Sequence, residues 1–190
     1  MGSEMTQAIK ASPRATLWYR VLNQWLTRVL LFAALILIVL RVAPLFRGQP
    51  IKRIELQRLN LVQLDGTPVQ SSMLKGKSAL VNFWAPWCPP CRLEIPWLQR
   101  VQDREAGNLV VLGVVADPSE DENALRFMQR RGVTYLLVRD SPALDAAFGG
   151  VSVLPTSFYI AASGTVIHRT QGIVPEPLML FYAHQAMHHE

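Results

Sequence analysis

The apolar run Ser78 to Trp84 (SALVNFW) leads within a few residues into Cys88-Pro89-Pro90-Cys91. From Pro89 to Glu105 the apolar residues Leu93, Trp97, Leu98 and Val101 then fall on one helical face. A short apolar run of this kind reads as a buried strand and the spacing after it as a helix, which Pro96 is expected to kink. The only two cysteines of the 190-residue chain sit at that junction. The Cys88 sulfur is therefore expected at a helix N-terminus, where unpaired amides and the macrodipole favour a thiolate. Cys91, one turn later, is placed to attack a mixed disulfide on Cys88 and release the product.

Other uses of the pair fit less well. A bridge between cysteines three apart closes too short a loop to constrain the unfolded chain, so a structural staple is a poor reading. A zinc site has a formal second half in His184 and His188 at H-x-x-x-H spacing. However, 92 residues separate Cys91 from His184, far more than a small zinc module uses. A metal-binding chaperone stays open as an alternative. A thiol peroxidase does too, although the P-x-x-x-T-x-x-C pattern is absent before Cys88.

The rest of the chain beyond residue 54 alternates strand-like and helix-like periods. LNLVQL, the Asp65-Gly66 turn signal and TPVQ suggest a small hairpin. Leu109 to Ala116 is a second buried strand and Tyr135 to Arg139 a third. Between them Glu120 to Arg131 begins acidic and ends at Gly132, as a helix should. Ser141 to Phe148 predicts a short helix capped by Ser141 with Pro142 at its first position. Thr156 to Ala161 and Thr165 to Thr170 predict a hairpin, and a last helix follows from about Pro175 to His188. The pattern indicates an α/β sheet with mixed strand directions.

Charge divides the chain as well. Of 19 basic and 14 acidic residues, eight basic and one acidic fall in residues 1–53, leaving 11 against 13 beyond. The basic character belongs to the N-terminal segment, so a nucleic-acid partner is not indicated. Within that segment Val29 to Leu40 is an apolar run of 12 residues, below the roughly 20 that cross a bilayer. Arg28 and Arg41 can snorkel, extending the embedded piece to residues 25–46, and Trp18, Tyr19 and Trp25 suit an interface. Arg41 and Ala43 before Pro44 make a bad cleavage site. The reading is an uncleaved anchor with a tail at 1–24, a linker at 47–54 and a folded domain at 55–190; a cleaved signal and an amphipathic helix are the alternatives. The basic residues flanking the run barely discriminate orientation, and a tail inside with the domain outside is the simpler topology.

FWAPWCPPC after an apolar strand, Pro96 in the helix, and Val153-Leu154-Pro155-Thr156 before the last hairpin resemble the thioredoxin superfamily. The anchor, LDGTPVQSSMLKGKSALVNFWA, CRLEIP and LPTSFYIAASGTVIHRTQG are similar to the TlpA/ResA/DsbE group of membrane-anchored thiol-disulfide oxidoreductases, ScsD-like members included. The resemblance covers about residues 55–175. It implies a thioredoxin-like α/β fold with an added N-terminal hairpin and a central insertion containing the Glu120 to Arg131 helix, preceded by one transmembrane helix.

The resemblance also implies a cis Pro155 facing the cysteines, with the Leu154 or Thr156 backbone pairing with an extended substrate and Trp87 shaping the rim. No cofactor or resident metal is implied. The implied partners are protein disulfide clients, such as apocytochromes or copper-stressed proteins, and a DsbD-like membrane reductant. The implied location is the inner membrane with the domain in the periplasm.

Two features depart from thioredoxin. Asn82 stands where thioredoxins carry a buried aspartate, and it cannot take a proton. Glu94, three residues after Cys91 on the same helical face, is the candidate acid-base partner; the alternative is an exposed glutamate that suits the helix dipole. Pro89 and Pro90 lack amide hydrogens, so a Cys88 thiolate loses two donors and the couple should be less oxidising. That favours reducing or isomerising disulfides over donating them.

Overall fold

The computed structural model describes residues 24–38 and 53–189. The expected tail up to residue 23, residues 39–46 of the expected span and most of the linker lie outside them. Residues 24–38 form helix α1, whose side chains are all exposed. Among the described residues no helix is long and apolar enough to cross a membrane. The chain divides into two compact units, Met1–Pro50 and Ile51–Glu190.

The second unit is built on one five-stranded sheet of order β3-β2-β1-β4-β5. Its strands are β1 (Ser78–Trp84), β2 (Leu109–Val115), β3 (Leu136–Arg139), β4 (Thr156–Ile160) and β5 (Val166–Gln171). β1, β2 and β3 run parallel, and β4 and β5 join as an antiparallel hairpin against β1. Every residue of β1 and β2 is buried, as expected for central strands covered on both faces. The crossovers are helices: α2 (Pro89–Arg104) joins β1 to β2, and α3 (Asp121–Arg130) joins β2 to β3. α4 (Pro142–Ala147) precedes β4, and α5 (Glu176–Met187) closes the chain. α2 continues unbroken through Pro96. Ser141 caps α4 by accepting the Leu144 N–H at 3.2 Å.

Alternation along β1 sends Leu80, Asn82 and Trp84 to one face and Ala79, Val81 and Phe83 to the other. The first face packs under α2, α3 and α5, with Ile95, Leu98, Met128 and Met179 among its buried partners. The second is covered by α4 and the segment before β1, around the edge-to-face trio Phe83, Phe148 and Phe158. α3 is fastened beside α2 through Phe127, whose ring centroid is 5.3 Å from the guanidinium of Arg92 on α2 and 4.8 Å from that of Arg131.

The N-terminal hairpin is smaller than expected. Val62 and Pro68 form a single antiparallel bridge around the Asp65-Gly66 turn, in which Gly66 has φ +88. Residues 62–64 direct their other backbone groups to the sheet edge: Arg139 N–H donates to Val62 O and Leu64 N–H to Leu137 O. The segment blunts the exposed edge of β3 instead of making a ladder of its own.

Candidate active site

β1 ends at Trp84 and α2 begins at Pro89, so the residue between strand and helix that caps α2 is Cys88. Its Sγ accepts the Cys91 N–H at 3.3 Å. Pro89 and Pro90 occupy the first two helical positions and have no amide hydrogen, so Cys91 supplies the one amide that reaches the sulfur from the first turn. Cys88 and Cys91 are joined in a disulfide with Sγ–Sγ 2.03 Å. They are 3% and 1% exposed.

Cys88 opens onto a mainly apolar groove of about 580 Å³ lined by Trp87, Pro90, Pro118, Val151 and Leu154. Trp87 is 60% exposed and forms its rim. Asp117 stands beside it, where bonds from the Ser119 side chain, the Ser119 N–H and the Trp87 indole hold its carboxyl below the usual carboxylate range. The Leu154–Pro155 peptide is cis. Pro155 is buried and its carbonyl accepts the Gly172 N–H at 2.8 Å. Leu154 is half-buried and faces the groove, and among the described residues its N–H and C=O enter no hydrogen bond. Thr156 is fully buried: its hydroxyl donates to Val153 O at 2.7 Å and its strand is paired with Phe83 on one side and Gln171 on the other.

Glu94 is 0% exposed. Its place on α2 turns it onto the sheet, where Asn82 Nδ2 donates to Oε2 at 3.3 Å and the Val174 N–H to Oε1 at 2.5 Å. Asn82 also donates to Ser157 Oγ at 2.9 Å. Burial raises the Glu94 carboxyl to about 7 against the opposing pull of the Val174 and Asn82 hydrogen bonds. The group is thus poised to give or take a proton near neutrality. Asn82 and Glu94 together fill the place for which a single buried aspartate was the reference. Sequence reasoning singled out Glu94 but missed Ser157, Val174 and Asp117. A polar residue inside each otherwise apolar strand, Asn82 in SALVNFW and Ser157 in TSFYI, was the available signal.

His184 lies on α5 and His188 just past its end, ring centroids 6.5 Å apart, with His184 bonded to Glu105 at 2.9 Å. Among the described residues no group of three or more His, Cys, Asp or Glu side chains could hold a metal ion.

Residues 43–181 match the Redoxin family. The thiol-disulfide oxidoreductase ResA of Bacillus subtilis (strain 168) is 34% identical over 125 residues, covering 64% of this chain and 68% of that protein. The thiol:disulfide interchange protein DsbE homolog of Paracoccus denitrificans (strain Pd 1222) is 41% identical over 95 residues, 49% of this chain and 50% of that protein. The chain thus spans between half and about two thirds of the length of these relatives. Among solved structures, a thiol:disulfide interchange protein of the thioredoxin family from Chlorobium tepidum TLS superposes with a TM-score of 0.59 at 33% identity, covering 74% of this chain and 97% of that one.

Proposed function

The chain belongs to the Redoxin family, and from that premise we propose that it is an extracytoplasmic protein thiol-disulfide oxidoreductase that reduces or isomerises client disulfides. The observation that carries the reading is Cys88 Sγ at the start of α2, bordering an apolar groove, with Cys91 one turn behind it.

The reduced Cys88 thiolate attacks one sulfur of a client disulfide; a new S–S bond forms between them and the client's other sulfur leaves as a thiolate. Glu94 takes the proton of Cys91, whose sulfur then attacks Cys88, breaking the mixed disulfide and freeing the client's second thiolate. Two electrons have passed to the client, and the enzyme is left with the Cys88–Cys91 disulfide. A membrane reductant of DsbD type returns two electrons. An extended client lies along the groove against Trp87, pairing its backbone with the free N–H and C=O of Leu154. Pro155 sets that backbone beside the cysteines, and Thr156 anchors the loop from inside the sheet. Clients of apocytochrome or copper-stressed type fit this chemistry. The ResA and DsbE names of the relatives support the same activity. The apolar N-terminal run supports anchoring in the inner membrane, and a short tail inside with the domain in the periplasm is the simpler topology for it.

The direction follows from the helix terminus. With one amide where an unobstructed first turn offers more, a Cys88 thiolate is weakly stabilised, so the reduced form is not favoured and the couple is a reductant. Equilibration with glutathione buffers measures this directly. A potential in the range of thioredoxin, about −270 mV, is expected; one near about −120 mV would make the protein a disulfide donor instead. Insulin reduction by the dithiol form, without peroxide consumption or metal retention, separates the reading from a peroxidase and a metal chaperone.

A further inference from the structure

Several buried donors of the sheet lack a partner, and two of them lie together. Trp84 Nε1 and Tyr135 Oη are out of contact with solvent and make no hydrogen bond among the described residues. Native interiors pair nearly all such groups, with protein or with ordered water. The two converge: a Cβ built on Gly113 would lie 3.0 Å from Tyr135 Cε2 and 3.2 Å from Trp84 Nε1. Only a glycine leaves room for the ring edge and the indole N–H to meet there. Gly113 is the ladder partner of Asn82, which holds Glu94, so the donors and the carboxyl share one face of the sheet. Burial, and after it the Glu94 charge, oppose ionisation of Tyr135, which therefore remains a hydroxyl donor within electrostatic reach of the carboxyl.

Neither donor bonds Glu94 directly, and each carboxyl oxygen, taking one bond from Asn82 or Val174, keeps a second acceptor site. Two buried donors and an acceptor that do not meet directly are groups that an internal water can join. Tyr159 is the other phenol within electrostatic reach of Glu94; its hydroxyl and that of Thr170 are also buried without a hydrogen bond, but Tyr159 is not among the nearest neighbours of Gly113, where the other two donors meet. The remaining groups that face Glu94 are Asn82 and the Val174 amide; Cys91 lies three residues before it on α2.

We infer that Trp84 Nε1 and Tyr135 Oη hold a buried water against the Glu94 carboxyl, and that Tyr135 is thereby a positioning residue for the proton Glu94 exchanges. The water accepts from both donors and gives one O–H to the carboxylate, favouring its charged form. The site itself is independent of the proposed activity; its consequence for catalysis rests on Glu94 serving as the acid-base group.

The test uses Tyr135→Phe, which keeps the ring and removes the hydroxyl. In the full-length oxidised protein, where the cysteines do not titrate, the Glu94 carboxyl is followed by carbon NMR across pH. The expected result is a rise of about one unit over the unsubstituted protein. An unchanged or lower midpoint overturns the water site. The pH profile of thiol alkylation in the reduced protein is then compared for Tyr135→Phe and Glu94→Gln. If the NMR midpoint rises while neither variant moves the alkylation profile, the water site stands and the acid-base reading of Glu94 fails.

Discussion

At Glu94 the removal of water from a carboxyl outweighs two hydrogen bonds that favour its charged form, and the sign of the result has a consequence for stability. The carboxyl is raised from an ordinary value of 4.5 to about 7 in the folded protein. Between those values the folded state keeps a proton that the unfolded chain has lost, so stability falls as pH rises. The contribution is fully present below about pH 4.5 and gone above about 7. At 1.36 kcal/mol per unit its size is roughly 3 kcal/mol. Denaturant melts of the oxidised protein should therefore show that loss across the window relative to Glu94→Gln, which has no proton to lose. Parallel curves for the two proteins would mean that the carboxyl is not titrating in its buried site. Glu94 as a candidate was readable three residues after Cys91, but its burial was not. The amide that binds it belongs to Val174, 80 residues further along the chain.

At the scale of elements, the N-terminus of α2 sets the chemistry by what it lacks. Pro90→Ala would restore an amide one position before Cys91 without altering the cap itself. One more hydrogen bond to the Cys88 thiolate contributes about 0.5–1.5 kcal/mol net, which stabilises the reduced form and raises the potential by roughly 10–30 mV. Equilibration with glutathione resolves such a change, and an unmoved potential would show that helix amides do not govern the couple. Elements of this kind were legible where one local rule dominated. SALVNFW and LVVLGVV are continuous apolar runs and became fully buried central strands. Ser141-Pro142 marked the start of α4 and capped it. The hairpin before β1 was legible as a turn but not as an edge cover, because its partner is β3, about 75 residues away, and pairing across that distance leaves no local period. Tyr135 read as a strand residue, and nothing local to it pointed toward Glu94.

For the whole molecule, the uneven charge and the division into two compact units bear on how the chain is held in place. The unit that carries the dithiol has its own sheet, two buried apolar clusters and every group assigned to the site. The described residues of the apolar run, 29–38, are all exposed. If it anchors the protein, attachment and activity are separable properties. The full chain should then sediment with membranes and resist extraction by high salt, since a basic segment held only by charge would be released once screening is strong. A chain beginning at Arg53 should remain in the supernatant while keeping the reduction potential and insulin-reducing activity of the full protein. Release of the full chain by salt alone would leave an electrostatic attachment in place of an anchor, and loss of the potential on truncation would show that the two units are coupled.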